Sequence, residues 1–169
     1  MTELERLVEL VGLKAVDRAG WLRVGIDRPE SVAAHSWGIA LLVLLVLPTD
    51  LDRERALTYA ILHDLAEVRT GDITPHDGVA KADKAHQESV AMHALLADHP
   101  RGPALLAAWH DYEAQIDPES RFVRQLDRLD MAIQAIRYQR DQGVDTTEFL
   151  DSARRVVTDP ALLTLLNGV

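Results

Sequence analysis

The chain has 169 residues and a mass of 18.8 kDa, with 18 Lys and Arg against 27 Asp and Glu, a formal net charge of −9 and a pI near 5.2. That sign argues against nucleic-acid polymers as partners, whose binding rests on basic groups neutralising phosphates, but leaves anionic small molecules open. A composition 47% hydrophobic and 27% charged is that of one globular domain, expected to span 1–169, and the absence of Cys restricts any metal to N and O donors and fits a reducing cytoplasm.

Helical spacing runs through nearly every segment and no stretch alternates long enough for a strand, so the expected fold is all-α, a compact bundle of seven or eight helices. The start of the chain is acidic and amphipathic, unlike a signal peptide, with Leu4, Leu7, Val8 and Val11 on one helix face. Gly20-Trp21-Leu22 reads as irregular. A second helix, N-capped by Ser31, covers 32–47 and is apolar on almost all sides, as expected of a central helix packed all round. Its apolar run over 39–47 is about half of the ~20 residues a membrane-spanning helix needs, so no membrane association is expected. A third helix is predicted over 52–68, followed by a Gly, Pro and Asp-rich loop. Further helices are predicted near 79–98, 103–115, 118–141, 147–157 and 160–166, three of them opened by Pro103, Pro118 and Pro160.

Chemistry-bearing residues concentrate around 63–72. On one continuous helix, His63 and Glu67 would share a face with Asp64 beside them. A His-Asp pair alone is weak, and the chain holds a second, His110-Asp111, which reads as surface or packing. His35 stands out as a strongly polar group within the apolar helix, where a lone His is ordinarily a hydrogen-bonded core residue. Asp127 adjoins the apolar stripe of the helix opened by Pro118, and spacing does not choose between it and Asp130, which shares its face.

The order His35, His63-Asp64, Asp127 resembles the H…HD…D signature of the HD-domain metal-dependent phosphohydrolases. More narrowly, Gly20-Trp21, the block from Arg28 to Ser36, His63-Asp64-Leu65-Ala66-Glu67, the block from Thr70 to Pro75 and the block from Phe122 to Asp127 are similar to the 5′-deoxynucleotidases. That group holds the YfbR-like bacterial enzymes and the HD domain-containing protein 2 family, and the resemblance covers about 10–140. It implies one divalent ion, among Mn, Co, Fe, Ni, Zn and Mg, held by His35, His63, Asp64 and Asp127, which selects Asp127 over Asp130. It implies Glu67 as catalytic acid, Asp72 as a second functional carboxylate and Trp21 against the deoxyribose. In the YfbR-like enzymes an Arg that contacts substrate precedes this Trp. Here Gly20 stands there, which leaves Arg18, Arg23 and Arg28 as candidate phosphate contacts, Arg28 foremost. Ala34 replaces a common acidic residue before the first His, with an expected effect on the orientation or basicity of His35. A second metal drawing on His86 and His93 is disfavoured, and His76 reads as an exposed loop residue. The implied activity is hydrolysis of deoxynucleoside 5′-monophosphates by a homodimer. The alternatives are a nucleoside triphosphohydrolase or other small phosphate-ester hydrolase, and a non-catalytic ligand-sensing module.

Overall fold

Polar caps set where the helices begin. Thr2 closes a capping box with Glu5 on α1 (Glu3–Val11), Ser31 accepts the Ala34 N–H on α3 (Val32–Val46), and Asp52 accepts the Arg55 N–H on α4 (Arg53–Leu62). Between α1 and α3 lie a 3₁₀ turn (Gly12–Ala15) and α2 (Ala19–Arg23). After α4 come α5 (Glu67–Thr70), a 3₁₀ turn (Pro75–Asp77), α6 (Lys81–Leu96) and α7 (Gly102–Ala114), then α8 (Pro118–Gln142), α9 (Thr147–Val156) and α10 (Pro160–Asn167). The computed structural model describes residues 1–168, and among these the secondary structure is helical apart from an isolated antiparallel bridge between Asp17 and Ser31.

α3, α4 and α8 pack on one another and bury Ile39, Val43, Tyr59, Val123, Leu126 and Leu129, with α9 and α10 closing the far side through Ala153 and Leu162. Truncating a residue such as Leu126 to Ala would cost about 2–5 kcal/mol. A second cluster, around Met92, Leu95 and Trp109, joins α6 to α7. A third seats Trp21 and Ile26 on Met131, Ala135 and Tyr138 of α8. The segment before α2 is welded to the start of α3, because Arg18 donates its N–H to the Glu30 carbonyl (3.1 Å) and Val32 donates to Val16 (2.8 Å).

Four expectations need correction. The described residues form ten α-helices rather than seven or eight, because Ala19–Arg23 is a short helix rather than irregular chain and the predicted helix over 52–68 breaks in two. α4 ends at Leu62, and residues 63–66 turn through tight bonds from Leu65 N–H to Leu62 O and Glu67 N–H to Asp64 O (both 3.1 Å). His63 and Glu67 are therefore not on one continuous helix. α3 is not covered all round: its inner side buries His35, Ile39 and Val43, whereas Trp37 is 66% exposed, with Leu41, Leu44 and Leu45 also open to solvent. α1 likewise turns Leu4, Leu7, Val8 and Val11 outward and buries Arg6.

Candidate active site

Three elements bring the four expected ligands together. His35 lies in the first half of α3, His63 caps the C-terminal end of α4 with Asp64 in the turn behind it, and Asp127 projects from α8. One donor atom each from His35, His63 and Asp64 falls within 4.8 Å of the others. His63 Nε2 is 3.1 Å and His35 Nε2 4.0 Å from Asp64 Oδ2, and Asp127 Oδ1 lies 3.1 Å from His35 Nε2.

The tautomer of His63 follows from its partner. Ala60 O, 3.0 Å from Nδ1, can only accept, so Nδ1 carries the proton and Nε2 offers a lone pair. That Nε2 is buried and makes no hydrogen bond, since its approach to Asp64 lacks the alignment of one. Trp109 fixes the same residue from behind by donating its indole N–H to the His63 carbonyl (3.3 Å). A buried, oriented, unpartnered imidazole nitrogen facing carboxylates, at a helix C-terminus that favours positive charge, fits a bound divalent cation.

The surrounding electrostatics are strongly biased. Burial and the Arg18 charge oppose protonation of His35, but its hydrogen bonds with Asp127 and Asp130 prevail and raise it to about 9. Against the cost of burial, His63, Arg18 and His35 hold the Asp64 carboxyl well below the usual range; the His35 hydrogen bond and Arg128 do the same for Asp127. Burial, then the charges of Asp64 and Asp72, push the Glu67 carboxyl far up. Glu67 Oε2 is buried without a partner, and Oε1 lies 3.8 Å from Lys84 Nζ on α6. Three cations therefore face the carboxylates, one of them Arg128, whose Nε lies 3.6 Å from Asp127 Oδ2. Arg18 Nη1 sits 3.5 Å from Asp64 and 3.8 Å from Asp72, and Lys84 is anchored by donating to Ile73 O (2.9 Å) and pairing with Glu88 (3.4 Å).

Residues 11–162 match the HD domain family. The chain belongs to that family. Its relatives include "5'-deoxynucleotidase HDDC2" of Danio rerio, 36% identical across all of this chain and 87% of the relative. Another is "5'-deoxynucleotidase hdd1" of Schizosaccharomyces pombe, 34% identical over 93% of this chain and 83% of the relative. Among solved structures, a Pyrococcus horikoshii protein matches with a TM-score of 0.81 at 30% identity, covering 98% of this chain and 96% of its own.

Within this HD domain, His35, His63, Asp64, Asp127, Glu67, Asp72 and Arg18 gather around one centre, and three expected residues do not, among them Arg23, which pairs with Glu148 of α9. Trp21 is 1% exposed, its ring set between Phe149 (4.1 Å) and Tyr138 (5.2 Å) and its N–H given to Glu30 Oε1 (3.0 Å), so it has no face to offer a sugar. Arg28, expected as the foremost phosphate contact, has a 92% exposed side chain paired with Asp27. Its left-handed backbone (φ 48°) turns it onto an outer cleft of about 480 Å³. Arg18 holds the inner position instead. Asp72 accepts the Ala19 N–H (2.7 Å) through Oδ2 and faces Arg18 through Oδ1, which makes it the clamp of that segment. Ala34 is exposed on the same outer cleft as Arg28. Two residues escaped sequence reasoning. Lys84 lies in no motif and offers as a signal only its i,i+4 spacing to Glu88. Asp130 was visible as the face-sharing alternative to Asp127, but its contact with the other side of His35 has no signature in spacing.

Proposed function

We propose that this HD domain is a metal-dependent 5′-deoxynucleotidase that releases phosphate from deoxynucleoside 5′-monophosphates. The observation that carries the metal centre is the buried His63 Nε2, lone pair free, beside His35, Asp64 and Asp127. These four would hold one divalent ion among Mn, Co, Fe, Ni, Zn and Mg. When bound, such an ion supplies Lewis acidity and lowers the pKa of water next to the phosphorus. The named activity of the vertebrate and yeast relatives supports the substrate class.

The protein's own groups divide the remaining work. Arg18, kept ionised among Asp64, Asp72 and Asp127, is the cation placed to meet a phosphate oxygen. Asp72 holds Arg18 there rather than touching the reacting atoms. Glu67 is buried, with one carboxyl oxygen uncommitted, and would pass a proton to the departing 5′-oxygen. Lys84, 3.8 Å from Glu67, would assist in holding the phosphate against the carboxylates around it.

A panel of deoxy- and ribonucleotides at mono-, di- and triphosphate level, with each of several divalent ions, tests this reading. Orthophosphate from deoxynucleoside monophosphates is the expected product. Pyrophosphate or triphosphate release would favour a triphosphohydrolase, and no release from any nucleotide would favour a sensing module.

The proposed homodimer has a candidate surface in the outer face of α3, where Trp37, Leu41, Leu44 and Leu45 are open to solvent. Leu45→Glu should convert a dimer to a monomer in light scattering. No described helix is long and apolar enough to cross a membrane; a reducing cytoplasm is the proposed location for this cysteine-free chain.

A further inference from the structure

His35 is held on both ring nitrogens, and the two contacts are unequal. Asp127 Oδ1 is 3.1 Å from Nε2, on the side of His63 and Asp64, whereas Asp130 Oδ2 is 2.7 Å from Nδ1, on the opposite side. The Asp130 carboxylate fits there because residue 38 is Gly. A Cβ at Gly38 would stand 2.1 Å from Asp130 Oδ1, so any side chain one turn after His35 would expel the carboxylate. Glu30 completes the group around this second face, its donor within 4.8 Å of those of His35 and Asp130, but its Oε1 already takes the Trp21 N–H.

We propose that Asp130, seated in the notch left by Gly38, is the positioning residue of the metal centre: it holds the Nδ1–H and the ring orientation of His35, so that a bound ion would meet the Nε2 lone pair, beside His63 and Asp64, in place of the proton that Nε2 shares with Asp127. The proposal rests on the metal-centre reading above. It divides two aspartates three residues apart on α8 into different tasks, Asp127 as ligand and Asp130 as the carboxylate behind a ligand. Carboxylates in that place set imidazole orientation and basicity, and removing one lowers metal affinity by about 10–100-fold. The symmetry with His63 supports it. There the same task, fixing Nδ1–H so that Nε2 is free, falls to the Ala60 carbonyl.

The test is calorimetric titration of the full chain with Mn²⁺ alone. Wild type should bind one ion. Asp130→Asn should keep that stoichiometry with affinity lowered about 10–100-fold, and Gly38→Ala should move affinity in the same direction by displacing the carboxylate. Asp127→Asn should lose far more. Unchanged affinity in Asp130→Asn overturns the proposal. So does the reversed pattern, in which Asp130→Asn abolishes binding while Asp127→Asn retains it. Failure of the wild type to bind would overturn the metal-centre reading and this proposal with it. A measurement independent of any variant is the ¹⁵N spectrum of the wild-type histidines with Zn²⁺ added. A His35 ring protonated at Nδ1 is expected, and a ring protonated only at Nε2 overturns the assignment even if the variants fail to fold.

Discussion

The chain carries the same dipeptide twice, and its two copies meet different fates. His63-Asp64 sits at the break between α4 and α5, its imidazole buried, tautomerically fixed and facing a second buried His. His110-Asp111 lies within α7, where the His110 ring is exposed and packs on Trp109 (4.9 Å) and His93 (5.6 Å), and Asp111 pairs with Arg55 (2.9 Å). The two copies differ in backbone, since the helix breaks at His63-Asp64 and continues through His110-Asp111. The turn at 63–66 aims consecutive side chains into one site, which a continuous helix would spread around its surface. The helical copy is left to surface pairing, worth about 0–1 kcal/mol.

That contrast can be broken in order of expected effect. Asp64→Asn or Asp127→Ala should cost more than the ~100-fold typical of groups one layer further out, in both phosphate release and metal affinity. Asp111→Asn should leave both unchanged; an equal loss there would erase the distinction. Glu67→Gln should lower turnover by about 10²–10⁴-fold while the protein still binds metal, and an active variant would remove Glu67 from proton transfer.

Smaller effects belong to the network around Asp111, where Arg55 also pairs with Asp117, the N-cap of α8. Loss of the cap in Asp117→Ala should cost about 0.5–2 kcal/mol, read from thermal unfolding at neutral pH. Burial works against the Asp117 charge, but hydrogen bonds from Tyr59, Ser120 and Arg55 prevail and lower its pKa to about 2. Because the folded value lies below the unfolded one, this charge stabilises fully above about pH 4 and ceases to do so as pH falls through about 2. The gap in Tm between wild type and Asp117→Asn should therefore close on acidification to that range. A gap of equal size at pH 6 and pH 2 would rule the charge out as its source.

Much of this arrangement was legible in the sequence, for reasons specific to each part. Helical periodicity placed the long helices because their inner faces bury Ile39, Val43, Leu126 and Leu129 at helical spacing. Capping chemistry marked several starts, as Ser31 and Pro118 do. The ordered blocks pointed to the family because each carries chemistry, where a single His-Asp pair carries little. The break after Leu62 was not legible, because residues 63–66 include good helix formers and no Gly or Pro; tertiary contacts of His63 decide it. Nor was the placement of cations. Arg28 stands nearer the Ser31 cap in sequence, but the Asp72 clamp on Ala19 puts Arg18 in the cluster, and Lys84 arrives from a helix without any motif. Apolarity along α3 was clear, yet composition does not say how many neighbours a helix will find.

The weld between residues 16–18 and 30–32 has a further consequence for how this site would open. Arg18 and His35 flank one short stretch of hydrogen-bonded backbone, so cation and imidazole share a mechanical unit. The Arg18 and Val32 amide protons close that weld. Their exchange with solvent deuterium would clock the opening of the whole side of the site that carries Arg18 and His35, rather than the fraying of any one helix.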